Sequence, residues 1–223
     1  MNNVKKSIGW ADYTWNPVTG CPRNCSYCYA RRIHQRFNET PFEEIVVHPE
    51  RFDEPRKVKK PSIIFVGSMS DVAYWSTKTR IDVINIASNY PQHTFMFLSK
   101  NPSAYELDEW PKNTMQGLTL LTYSCYEIQK WHIEKMEKYP RPYLSIEPIL
   151  GHLKASVKKM EKVIVGAMTG PGAVKPKKEW IDRIKKHVPG DKTFWKTSIV
   201  NQKWFSENQH ENNIKEKPCI QAN

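Results

Sequence analysis

The sequence predicts an α/β fold, a partial (β/α)6 TIM-like barrel with parallel strands. Three observations predict it. Short apolar, β-branched runs of about five residues recur, the length of an average strand. Stretches with helical apolar spacing lie between several of them. Polar residues gather just beyond the C-terminal ends of the runs, where the loops of such folds carry their chemistry.

The elements follow in order. Trp10, Tyr13 and Trp15 alternate with polar residues on a candidate first strand. Ser62–Gly67 is a strand buried on both faces, and His93–Leu98, Gly117–Thr122, Tyr143–Glu147, Lys162–Gly166 and Thr193–Lys196 continue the series. Thr79–Tyr90 carries Ile81, Ile84 and Ala87 at helical spacing. Tyr126–Tyr139 does so with Ile128, Trp131 and Met136, and Lys177–Val188 with Trp180, Ile181, Ile184 and Val188. Pro176 suits the start of the last helix and Pro189-Gly190 its stop. Trp131 and Trp180 are read as packing residues. No repeat or linker interrupts the pattern, so residues 1–200 form one barrel domain and residues 201–223 a C-terminal tail packing on or near it.

Composition bounds the function. The 223 residues are 39% hydrophobic, enough for one sizeable core, which excludes a disordered or fibrous chain. Mean hydropathy is −0.67, and no apolar run approaches the roughly 18–20 residues of a membrane-spanning helix. The start, Met1–Lys6, leads into Ser7–Asp12 rather than a secretory apolar stretch, so the expected location is cytoplasmic, with no membrane partner. Net charge is +11, of which +8 falls in residues 151–223. Such a bias suits a polyanionic partner or a Lys-rich solvated surface equally well.

The strongest local signal is Cys21-Pro22-Arg23-Asn24-Cys25-Ser26-Tyr27-Cys28, a C-x3-C-x2-C spacing. Three thiolates within eight residues can wrap one metal centre, and soft sulfur donors select zinc, copper(I) or iron–sulfur. A structural zinc wants four ligands, and no second C-x2-C pair is present, although His34, Cys125 or Cys219 could complete a site through the fold. An iron–sulfur cluster held by three cysteines keeps one iron open. The two readings are therefore an enzyme and a zinc-stapled nucleic-acid-binding module without catalysis.

With an aromatic residue, Tyr27, before the last cysteine, the motif resembles the signature of the radical S-adenosylmethionine superfamily. The resemblance extends to its phage-type radical-SAM-like proteins through Trp15–Cys21, Ser68–Asp71, Pro91–Phe95, Leu144–Gly151 and Gly170–Ala173, nearly the whole chain. Two stretches differ. That branch has a longer gap between its first two cysteines, and a Ser-Val-Glu-Asn-like segment in place of Thr119–Thr122.

The resemblance implies Cys21, Cys25 and Cys28 as ligands of a 4Fe-4S cluster, S-adenosylmethionine on the open iron, and an external electron donor of flavodoxin or ferredoxin type. It places Tyr27 near the adenine, Ser68, Ser70 and Asp71 at the amino group, and Thr119 and Thr122 at the ribose. Ser145 and Glu147, one pleat apart, point into the barrel mouth, and Gly166 allows close backbone approach to a ligand. Cys125 is a candidate hydrogen donor to a substrate radical or an inert small hydrophobe. Each rim residue also has a plainer use: Ser70 or Asp71 as a helix cap, Glu147 as a salt bridge to Lys100 or Lys196. The expected substrate is a nucleotide or nucleic acid, with a peptide or small metabolite as the alternative.

Overall fold

The computed structural model describes residues 1–37, 39–106 and 109–202. In chain order the elements are β1 (Asn2–Asn3), α1 (Lys5–Ile8), β2 (Tyr13–Trp15), β3 (Val18–Thr19), α2 (Tyr29–Phe37), β4 (Val46–Val47), β5 (Ile63–Val66), α3 (Thr77–Ser88), β6 (Thr94–Ser99), β7 (Thr114–Thr119), α4 (Tyr126–Met136), β8 (Pro142–Ile146), β9 (Lys162–Val165), α5 (Lys178–His187), β10 (Thr193–Trp195) and α6 (Thr197–Val200). Eight strands form one curled sheet in the order β1-β2-β5-β6-β7-β8-β9-β10, a half-barrel. Seven of them run parallel, and only β1 is antiparallel to its neighbour. β3 and β4 make a separate two-stranded pair.

The half-barrel is the predicted architecture with two corrections. The parallel wall has seven strands rather than six, because the candidate first strand joins it as β2. Strands do not alternate strictly with α-helices either: β6 and β7 are joined through a 3-10 turn at Pro102–Tyr105, and β8 and β9 through a stretch without an α-helix. Pro102 and Pro111 in the first connection, and Pro148 and Gly151 in the second, oppose a continuous helix.

The two-residue period of each strand sorts side chains between two faces. Ile64, Val66, Phe95, Phe97, Leu144, Ile146, Val163 and Val165 pack outward with Val83 and Ala87 of α3, Ile133 and Met136 of α4, and Ile181 and Ile184 of α5. The intervening residues Phe65, Met96, Met115, Tyr143 and Ile164 form a second cluster with Trp10 on the concave face. Val4, Ile8 and Phe194 pack against that cluster. Gly9, at φ 74°, brings the chain so close to β10 that a Cβ would stand 2.9 Å from Phe194 Cζ. The N-terminal segment therefore crosses the floor of the half-barrel.

Two helix faces differ from expectation. Trp131 is 51% exposed and Ile128 47%, so α4 packs through Gln129, Ile133 and Met136 instead. The reason is polar: the fully buried Gln129 reaches the carbonyls of Thr122, Ser124 and His152 with Nε2 and accepts from the Lys154 N–H. Turning that amide inward carries Trp131 out to the rim. Ile81 of α3 is likewise exposed, while Trp180 is partly buried against the core. Residues 203–223, which hold Cys219 and nearly all of the expected C-terminal tail, lie outside the described residues. Among the described residues no helix is long and apolar enough to cross a membrane.

Candidate functional site

The cysteine loop is fastened to the C-terminal mouth of the half-barrel at its first residue. The Gly20 N–H donates to Met69 O at 3.0 Å, and Gly20 bridges Ser70. Gly20 has φ 92°, and a Cβ there would lie 1.7 Å from Glu44 O, so no larger residue fits. Next, the Cys21 N–H donates to Phe42 O at 2.7 Å, the Cys25 N–H to Arg23 O, and the Cys28 N–H to Cys25 O. Cys28 directly precedes α2, and its Sγ accepts the Arg31 N–H at 3.4 Å, at the helix end that favours negative charge. The other end of the turn is held by Tyr29, whose hydroxyl donates to Ser68 O at 2.6 Å.

All three thiols are free and partly buried. The Cys21 thiol is pushed up to about 11, by burial first and then by the charges of Asp71, Cys28 and Cys25, against a backbone bond at Arg23 that lowers it. Tyr27 is raised for the same reason, burial first, then Cys25 and Tyr123. The three sulfurs, Tyr27 and Asp71 thus share one electrostatic neighbourhood. No three His, Cys, Asp or Glu side chains among the described residues close on a single metal ion. A cluster takes its ligands at separate corners, and a soft donor set of three half-buried thiols on one loop fits that demand. His34, the nearest imidazole in sequence, is turned away to Thr40 O at 2.8 Å.

The loop after β5 carries the next candidates. Asn16 Oδ1 accepts from both Ser68 Oγ and the Met69 N–H, each at 3.1 Å. Ser70 Oγ accepts from Trp75 Nε1. Asp71 is 7% exposed and caps the 3-10 turn Val72–Tyr74 through the Ala73 N–H. Its carboxylate also accepts Ser99 Oγ at 2.6 Å and the Lys100 N–H at 3.0 Å. The capping use of Asp71 is therefore realised, and three of about four acceptor directions are filled from within the chain.

Strand register brings the remaining candidates to one wall. Thr119 pairs with Ser145; Ile146 pairs with Val165, which sets Glu147 beside Gly166; Trp195 pairs with Val165, which sets Lys196 there too. Lys196 and Glu147 form an ion pair at 2.5 Å, one of the two pairings expected for that carboxylate. Gly166 is required by that pair, since a Cβ would stand 2.7 Å from Glu147 Oε1 and 2.8 Å from Lys196 Cδ. The backbone approach expected at Gly166 is thus made by this chain's own side chains. Lys100 Nζ lies 3.4 Å from Thr119 Oγ1 and 5.6 Å from the centre of the Tyr27 ring, tying the wall to the cysteine loop.

Two candidates are placed elsewhere. Thr122, 1% exposed, lies three residues beyond the end of β7, and its Oγ1 accepts the Leu150 N–H at 2.9 Å, so it braces the loop after β8. Cys125 stands at the N-terminus of α4 and interacts with the Glu127 carboxylate. Of the arginines after the cysteines, Arg31 pairs with Glu43, Arg32 reaches Thr169 O at 3.3 Å, and Arg36 is exposed. Asn16 and Tyr29 escaped the sequence reading as braces. The only linear signal was the proximity of Asn16-Pro17 and Tyr29 to the cysteines.

Fold and site together define a parallel half-barrel that presents a three-cysteine loop and a polar wall at its C-terminal mouth. The chain belongs to the family described as protein of unknown function (DUF5131), whose pattern covers residues 5–212. Among solved structures it is similar to a spore photoproduct lyase mutant with bound AdoMet and a dinucleoside spore photoproduct. The TM-score is 0.52 at 16% identity, over 66% of this chain and 48% of that one. The chain thus spans about half the length of that relative, and the likeness is one of fold. No curated protein matches the sequence.

Proposed function

We propose that the protein is a radical S-adenosylmethionine enzyme acting on a nucleotide or nucleic acid. The observation that carries this reading is the C-x3-C-x2-C loop at the C-terminal mouth of a half-barrel, with only three ligands offered locally. Cys21, Cys25 and Cys28 would hold a 4Fe-4S cluster. When bound, the cluster and S-adenosylmethionine supply reductive cleavage of the sulfonium, with an electron from a flavodoxin- or ferredoxin-type donor, to a 5′-deoxyadenosyl radical that abstracts hydrogen from the substrate.

The chain's own residues bind and orient. Gly20, Asn16 and Tyr29 lock the cysteine loop to the loop after β5. Asp71 fixes Ser99 and the start of the Lys100 segment, and so aims Lys100 across the mouth. Ser145, Thr119 and the Glu147–Lys196 pair offer hydroxyl, carboxylate and ammonium groups on one wall for the polar parts of the cofactor. The substrate class draws support from the basic composition and from the likeness in fold to a lyase with a bound dinucleoside spore photoproduct.

The test is anaerobic reconstitution. The expected product is brown, with about four irons per chain, and releases 5′-deoxyadenosine on addition of reductant and S-adenosylmethionine. Cys25→Ala abolishes the release. A colourless protein with one zinc per chain overturns the reading, and release that persists in Cys25→Ala removes that residue from cluster ligation.

A further inference from the structure

Beside the cysteine loop, sharing Lys100 with the polar wall, lies an open cleft of about 330 Å³ lined by Arg23, Tyr74, Lys100, Asn101, Trp131 and His132, among others. Its volume falls in the range of ligand sites, roughly 300–1,000 Å³. Arg23 forms one wall from within the cysteine motif, and α4 forms the other. Neither Arg23 nor Lys100 has a carboxylate partner within ion-pair distance among the described residues, although Lys130 and Lys135 of α4 are both paired. The cleft is thus cationic without an internal counter-charge.

Its aromatic member is presented rather than packed. Trp131 is 51% exposed and Tyr74 39% exposed. Lys135 Nζ sits 5.8 Å from the centre of the Trp131 ring, within cation–π reach, and His132 lies at 5.1 Å, tilted. An indole exposed to that degree at the edge of a cleft can take a stacked base. His132 Nδ1 is buried without a hydrogen-bond partner, an unfilled polar position beside Arg23. Burial and the Arg23 charge both lower the His132 pKa, which favours the neutral ring, whose Nδ1 accepts or donates according to tautomer.

Unpaired cations beside an open π face match one ligand chemistry, a phosphodiester with a planar base attached. We propose that this cleft seats a nucleotide of a single-stranded polynucleotide adjacent to the reacting one, its base on Trp131 and its phosphate on Arg23 and Lys100. What is done to the strand rests on the radical reading above; the seating rests on the cleft. The inference narrows the substrate from any nucleotide to a strand, because of the residues that line the cleft only Lys100 also reaches the polar wall.

The test is fluorescence anisotropy with a fluorescein-labelled oligothymidylate of about twelve nucleotides, within single-strand site sizes. It uses the full chain without reductant or S-adenosylmethionine, over a potassium chloride series. Trp131→Ala is expected to weaken binding about 5- to 150-fold, the effect of one stacked base. Arg23→Gln is expected to lower the slope of log affinity on log salt by about 0.7, one single-strand phosphate contact. Both variants should unfold at the wild-type midpoint, because both positions are rim residues, and an abasic oligonucleotide should be indifferent to Trp131→Ala.

Absent binding at low salt, or affinity and slope unmoved by both variants, overturns the proposal. So does competition by thymidine monophosphate or inorganic phosphate as strong as by the strand, which would mark a free-nucleotide or simple anion site. Variants that weaken flavodoxin binding but not strand binding overturn it in favour of an electron-donor surface. The two readings fail separately: loss of 5′-deoxyadenosine release with the anisotropy pattern intact sinks the radical chemistry alone, and the converse sinks the cleft alone.

Discussion

Gly117→Ala is expected to destabilise the protein by about 1–3 kcal/mol, the range for overpacking a filled interior. Gly117 lies in β7 directly under the ring of Tyr143. A Cβ at 117 would stand 2.1 Å from Tyr143 Cζ, 2.2 Å from Cε1 and 2.6 Å from the hydroxyl. Ordinary contact begins near 3.4 Å, so the ring must retreat by more than 1 Å. It has nowhere to go. Tyr143 is fully buried among Trp10, Phe65, Met96, Met115 and Ile164, and on the other side of β7 the Tyr105 hydroxyl already holds Gly117 O at 2.7 Å.

Urea unfolding followed by tryptophan fluorescence measures it. The decisive comparison is a double-mutant cycle with Tyr143→Leu, which vacates the space. The pair should be less destabilised than the sum of its singles, with a coupling of about 0.5–3 kcal/mol. Tyr143→Phe alone should cost nothing, since the hydroxyl has no partner among the described residues. A Gly117→Ala protein as stable as wild type, or singles that simply add, would refute the placement of that ring.

Two further outcomes follow from groups already described. Asp71→Ala leaves the buried Ser99 hydroxyl and the Lys100 N–H without their acceptor, at about 1–3 kcal/mol for each buried group left unsatisfied. Denaturant midpoints should fall and the Lys100 amide should exchange faster; an unchanged exchange rate at Lys100 would exclude this role. Burial is the first cause of a lowered pKa at His48, His93, His132, His152 and His187. The folded state prefers these rings neutral, while the unfolded chain takes up their protons near the ordinary value of about 6.5. Stability is then full above that value and is lost as pH falls below it through the folded values. Melting temperatures from pH 8 to 5 should drop below about pH 6.5, and a flat profile would contradict the shifts.

Much of the wall was legible because buried parallel strands are written as local apolar runs. β5, β6, β8, β9 and β10 fall within a residue or two of Ser62–Gly67, His93–Leu98, Tyr143–Glu147, Lys162–Gly166 and Thr193–Lys196. β7 slipped by three residues. Leu120 and Leu121 read as strand, yet β7 begins at Thr114 and includes the buried Gln116, whose Nε2 bonds Thr114 Oγ1. A polar residue satisfied by its own strand carries no apolar signal. The cysteine loop was legible because its spacing is local. The roles of Gly166, Thr122 and Trp131 were not, since each depends on a partner far along the chain: Lys196, Leu150, and the His152 carbonyl that helps draw Gln129 inward.

The half-barrel described above is open along two margins, and both edge strands are short. β1 is two residues long and β10 three. Each margin therefore exposes only a few unpaired peptide groups, too few to template a neighbour's strand. Lengthening either margin by a few apolar residues would add such groups and, with them, a template for edge-to-edge growth into filaments.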